Sequence, residues 1–179
     1  MDNDLTSIQE ARELVTNAYA AWQSWSHATQ ADVDRVCEAM AKAGEQAAER
    51  LGQLAHDETG YGHPQHKKLK NITGSKLVWE SIRAEKTVGV INQDAQKRVT
   101  EIAWPIGAIA ALVPSTNPTS TTLYKALIAI KARDAIVFAP HPSAARCTYE
   151  TAKVMAEAAE KAGAPKGLIA CMQHISLEG

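Results

Sequence analysis

The chain is poor in cysteine, in aromatic residues, in net charge and in long apolar runs, and each shortage excludes something. Its three cysteines, Cys37, Cys147 and Cys171, are widely spaced over 179 residues and odd in number. That suits free thiols in a reducing cytoplasm and not a disulfide framework. Nineteen basic and twenty acidic side chains leave a formal charge of −1, so neither nucleic acid nor a membrane surface is expected as a partner. No window holds the ~20 uncharged apolar residues that a membrane span needs. Met1-Asp-Asn-Asp-Leu5 is acidic where a secretory leader is basic. The Gly-x-Gly-x-x-Gly fingerprint of ordinary dinucleotide folds is also missing, which removes the standard pyrophosphate cradle. There is no internal repeat, low-complexity tract or Ser/Gly linker. What is present is an ordinary globular composition, 45% hydrophobic and 22% charged, sufficient for one domain with a proper core.

Residues 1–86 read as mostly helical. Ile8, Ala11, Val15, Ala18, Trp22 and Trp25 recur at three- and four-residue spacing, and Ser7 with Glu10 matches a capping box. A second helix follows Thr29, with Val33, Val36, Met40, Ala43, Ala47, Leu51 and Leu54 on one face. Asp57-Glu-Thr-Gly-Tyr-Gly-His-Pro64 ends it, since two glycines and a proline oppose continuation. A third helix is expected from about Gln65 to Arg83, presenting Leu69, Ile72, Trp79 and Ile82. Two short β-branched runs, Thr87–Ile91 and Arg98–Ala103, form a strand arm over 87–103.

From residue 104 the order alternates as βαβαβ: strand Ala108–Val113, helix Thr119–Lys131, strand Ala135–Phe138, helix Ser143–Lys161, strand Leu168–Cys171. Crossovers of this length imply parallel strands connected right-handedly. Gly163 stands where a helix C-terminus favours a left-handed residue, and Pro165 prevents continuation. The expected fold is therefore α/β: a helical lead-in, a two-strand arm, and half of a doubly wound, Rossmann-like parallel sheet. Ligands of such sheets collect beyond the C-terminal strand ends, which here are the loops Pro114–Ser120 and Ala139–Ser143. Spacing alone points to a small-molecule site of open type.

Residue-level likeness narrows it. Val113-Pro-Ser-Thr-Asn-Pro-Thr-Ser-Thr121, Tyr124-Lys-Ala-Leu-Ile-Ala-Ile-Lys131 and Ala135-Ile-Val-Phe-Ala-Pro-His-Pro142 stand in order. Glu85-Lys-Thr-Val-Gly-Val90 precedes them and Ala162-Gly-Ala-Pro-Lys-Gly-Leu-Ile169 follows. Together these five segments resemble the CoA-acylating aldehyde dehydrogenases, from the first helix to the last residue. The resemblance implies an oxidoreductase that converts a small aldehyde, CoA and NAD or NADP into acyl-CoA and reduced cofactor. In that chemistry a cysteine thiolate attacks the aldehyde, hydride leaves to the nicotinamide, and CoA resolves the acyl thioester. The family carries its nucleophile in a separate, later domain. The chain is thus expected to be the N-terminal part of the nucleotide-binding domain, inactive alone and either a truncated product or the ordered part of a longer protein. A homo-oligomer is expected, in the cytoplasm or in a bacterial microcompartment. A non-acylating relative and a non-catalytic assembly module are the alternatives; Ala139, where non-acylating enzymes carry lysine, speaks against the former.

By the same resemblance, Asn117 is an oxyanion donor, a type of contact whose loss costs roughly 2.7–4 kcal/mol in other enzymes. Asn is also a favoured N-cap, so a purely structural role at the helix starting near Thr119 is the competing reading. Pro114, Ser115 and Thr116 would lie beside the nicotinamide or the pantetheine arm of CoA, or simply form a rigid turn. Ala139, Pro140 and His141 would line the adenosine end. Cys147 lies near a helix start, where a thiolate can be stabilised, but its context does not match the family nucleophile. His56, His63 and His66 lack a cysteine or carboxylate to complete a tetrahedral set. Lys67, Lys68 and Lys70 oppose a cation beside them. No metal is expected, and that segment reads as a solvated loop. Asn71-Ile-Thr73 matches a glycosylation sequon, read as coincidence.

Overall fold

The computed structural model describes residues 2–179. Six α-helices are described: α1 Asn3–Trp25, α2 Gln30–Thr59, α3 Pro64–Ile72, α4 Val78–Ile82, α5 Pro118–Lys131 and α6 Ala145–Lys161. A π-helical turn, Thr73–Leu77, joins α3 to α4. The strands are β1 Gly89–Asp94, β2 Val99–Ala103, β3 Ala108–Val113, β4 Ala135–Pro140 and β5 Ile169–Cys171. β1 and β2 pair antiparallel as a separate arm. β3, β4 and β5 form a parallel sheet in that order, with Val113 opposite Pro140 and Phe138 opposite Cys171.

Two right-handed crossovers in sequential order put α5 and α6 on the same face of the sheet. α2 packs over both as an outer layer, and α1 lies across the other face, touching all three strands. The core between these layers includes Ala18, Trp25, Val36, Met40, Leu123, Leu127, Ile136, Phe138 and Met155. Burial of each large apolar side chain contributes roughly 1.5–3 kcal/mol.

Several expectations are corrected at their edges. Ser7 and Glu10 are not a capping box, because α1 begins at Asn3 and both lie inside it. The Ser7 hydroxyl donates to the His174 carbonyl at 2.7 Å, and the Glu10 carboxylate accepts from the Gln173 and His174 N–H groups. A spacing that suggests a cap is here a tertiary anchor for the C-terminal segment. The true capping box is Thr29 with Asp32 at the start of α2.

β4 runs two residues past Phe138, because its neighbour β3 continues to Val113 and the ladder holds both. α6 starts at Ala145, not Ser143, after a 3-10 turn over Pro142–Ala144. The largest revision concerns the third helix. Leu69 is 61% exposed, and the buried face is made of Lys67, Asn71, Gly74 and Ser75.

That face is polar and small because it approaches two backbones closely. A Cβ at Gly52 would lie 2.8 Å from the Lys68 nitrogen, and one at Gly44 would lie 2.7 Å from the Ser75 Cβ. A Cβ at Gly74 would meet the Ser120 carbonyl oxygen at 2.7 Å. Glycine at 74 therefore lets the π-helical turn touch the first turn of α5. Gly74→Ala should cost about 1–3 kcal/mol, measured as a lower midpoint of urea unfolding; an unchanged midpoint would show that the two elements can separate freely.

Candidate functional site

The site lies at the C-terminal ends of β3 and β4. The His141 N–H donates to the Val113 carbonyl at 3.0 Å, so the loops after the two strands begin side by side. Pro114, Thr116 and His141 are exposed, Ser115, Asn117 and Ala139 half-buried, and Pro140 buried within the strand end. The structure brings the seven expected residues to one sheet edge.

α5 opens at this edge. Pro118 is its first residue, where the missing N–H costs nothing, and Asn117 occupies the N-cap position. Asn117 makes no side-chain cap bond, however. Its Oδ1 accepts from the Lys70 ammonium at 2.8 Å. The competing reading of Asn117 as a cap thus holds for its position and fails for its side chain.

Lys67 and Asn71 complete the clamp from α3. The Lys67 ammonium donates to the Thr116 carbonyl at 3.2 Å. Asn71 accepts from the Thr119 hydroxyl at 2.8 Å and donates to the Ala48 carbonyl at 2.9 Å, so one amide ties α2 to α5. Lys67 is 5% exposed, and its burial pulls the ammonium below its usual range, with nearby Cys147 opposing the shift and Lys70 adding to it. The segment expected as a solvated loop is thus helical from Pro64, with Lys67 buried, Lys68 half-buried and Lys70, His63 and His66 exposed. Asn71 is 0% exposed, so in the folded chain its sequon is closed to modification. The usable signal was polar: Lys67, Asn71, Gly74 and Ser75 follow the i, i+4, i+7, i+8 period of a packed helical stripe.

Electrostatically, two ammonium groups and the positive end of α5 converge on the Thr116–Asn117 peptide. Such a corner disfavours a bound cation. The N-terminus of α6 is different. The Glu58 carboxylate accepts from the Arg146 and Cys147 N–H groups at 2.8 and 2.6 Å, so that anion position is already filled from α2.

His141 is held by its neighbour: the Ser143 N–H donates to Nδ1 at 3.2 Å. The proton of the neutral ring therefore sits on Nε2, giving an exposed N–H donor that fits hydroxyl or phosphate oxygens of a nucleotide. Ala139 offers no polar side chain beside it. Ser115 and Thr116 add hydroxyls, and Pro114 adds a flat apolar surface. This donor set fits the ribose and amide parts of a dinucleotide better than a concentrated phosphate charge.

The three thiols are buried and free. Burial pushes the Cys37, Cys147 and Cys171 thiols up to about 12 each, with Glu58 adding to the effect at Cys147. None is a ready nucleophile. The His63 and His66 rings meet at a tilt of 48° with centroids 5.5 Å apart, and among the described residues no three His, Cys, Asp or Glu side chains cluster as metal ligands. Among the same residues no helix is long and apolar enough to cross a membrane.

The model of the aldehyde dehydrogenase family matches residues 4–176. The chain belongs to that family. It is 38% identical over 174 residues to the bifunctional aldehyde-alcohol dehydrogenase of Escherichia coli (strain K12), covering 97% of this chain and 20% of that enzyme. Among solved structures, the acetylating aldehyde dehydrogenase from Geobacillus thermoglucosidasius is 51% identical, with a TM-score of 0.97 over 99% of this chain and 39% of that one. The Rhodopseudomonas palustris propionaldehyde dehydrogenase with bound propionyl-CoA is 25% identical, with a TM-score of 0.77 over 93% of this chain and 37% of that one. The chain thus spans well under half the length of each relative.

The thiol environment gives a direct check. At pH 8 an alkylating reagent should leave all three cysteines of the folded chain unmodified and label all three in denaturant. Rapid native labelling of Cys147 would show that its helix start activates it.

Proposed function

We propose that residues 1–179 are the N-terminal part of the nucleotide-binding domain of a CoA-acylating aldehyde dehydrogenase, which uses NAD or NADP and CoA to turn a small aldehyde into its acyl thioester. The relatives support the acylating branch, one through its name and one through its bound propionyl-CoA. One observation carries the assignment of chemistry: the Asn117 amide stands at the head of α5, free of any capping bond and with its oxygen taken by Lys70. That leaves Nδ2 as a neutral donor in a positively polarised corner.

In this reading the nicotinamide, when bound, supplies the hydride acceptor. Asn117 Nδ2 donates to the aldehyde oxygen as it gains charge, and the N-terminal end of α5 adds its dipole. Pro114, Ser115 and Thr116 bracket the nicotinamide or the pantetheine arm. Ala139, Pro140 and His141 line the adenosine end, where the His141 Nε2–H meets an oxygen. The thiolate comes from outside these residues, since the three cysteines here are buried and held protonated.

In the complete enzyme Asn117→Ala should slow acylation by about 10²–10³-fold and leave cofactor affinity nearly intact. His141→Ala should weaken nucleotide binding with a smaller effect on the single-turnover rate. Single-turnover kinetics with cofactor titrations separate the two. An unchanged acylation rate in Asn117→Ala would remove the oxyanion assignment.

A further inference from the structure

Asparagine at the head of a helix ordinarily turns its side-chain oxygen onto the second or third N–H of the first turn. At the head of α5 those groups belong to Thr119 and Ser120, and Asn117 makes no such bond. Its oxygen lies 2.8 Å from the Lys70 ammonium instead. An ammonium only donates, so this contact sets which end of the carboxamide faces α3 and which end is left for another partner.

The backbone on either side of Asn117 is held. Lys67 holds the Thr116 carbonyl on one side and Asn71 holds the Thr119 hydroxyl on the other. α3 is itself fixed by its close approach to Gly52. We propose that Lys70 is a positioning residue for the aldehyde site, holding the Asn117 amide out of the capping rotamer so that Nδ2 stays available as a donor. The proposal rests on the oxyanion reading of Asn117. It adds that this donor is maintained against a local competitor, the uncapped first turn of α5.

Without the ammonium, the oxygen of Asn117 is free to turn toward the first-turn N–H groups of α5. Lys70→Met should therefore slow hydrogen exchange at the Thr119 or Ser120 amide in the 179-residue chain and shift the Asn117 side-chain NH2 resonances. The melting temperature should hold or rise. In the complete enzyme the same substitution should lower the acylation rate about five- to ten-fold, the bias expected of an N-cap bond, with cofactor KM unchanged. Lys70→Arg, which restores a cationic donor, should recover most of that loss. In Asn117→Ala, adding Lys70→Met should slow the enzyme no further, because the group it positions is gone. A wild-type rate in Lys70→Met alongside a slow Asn117→Ala overturns the positioning role and leaves the oxyanion reading standing. Losses that multiply in the double variant overturn it too, since Lys70 would then act on substrate directly. A wild-type rate in Asn117→Ala overturns both readings.

Discussion

Contact between α3 and the start of α5 is the constraint on which the site depends. Three side chains on one stripe of α3, Lys67, Lys70 and Asn71, reach the Thr116 carbonyl, the Asn117 side chain and the Thr119 hydroxyl. Loops at the ends of parallel strands are ordinarily mobile and position their groups loosely. Here a helix supplies the rigidity, and the helix is in turn seated on α2 by glycines that let the backbones meet. The polar character of that interface is costly to bury, and it persists because every member has a partner.

The same corner is electrostatically committed. Two ammonium groups beside a helix N-terminus disfavour a bound cation. The equivalent position at α6 is neutralised by Glu58. Of the two helix starts at this end of the sheet, that of α6 is satisfied by a carboxylate and that of α5 carries no side-chain cap. That asymmetry distinguishes the loop after β3 from the loop after β4, though both sit at the same edge.

Other long-range polar contacts set the frame around the site. The Asp134 carboxylate accepts from the Ile106 and Gly107 N–H groups at 2.7 and 2.9 Å, which fixes the start of β3 against that of β4. Burial raises its affinity for a proton, and those two backbone donors oppose the shift. Lys131, buried at the end of α5, pairs with Asp34 at 2.6 Å and lies over the Trp79 ring. Arg133 adopts a left-handed backbone at the helix exit and donates to the Ser26 and Ala103 carbonyls. These contacts join the lead-in, the arm and the sheet.

Local pattern alone was enough for the alternation after residue 104, because short apolar runs alternate with longer helix-period stretches and Gly or Pro marks every turn but Ala132–Asp134. It placed β3 at Ala108–Val113 without error and set Asn117 and His141 at the strand ends, since topology follows from element order. It misread Ser7 and Glu10, whose partners His174 and Gln173 lie far along the chain. It also misread α3, where an apolar stripe was sought and a polar one is buried. Hydrophobic periodicity measures transfer from water, and it is blind to a polar side chain whose burial is offset by a distant hydrogen bond. Fold class, and the strand ends at which Asn117 and His141 stand, were therefore determined by sequence. The orientation of the Asn117 amide was decided only by tertiary structure, because it depends on an ammonium that the fold delivers from 47 residues away.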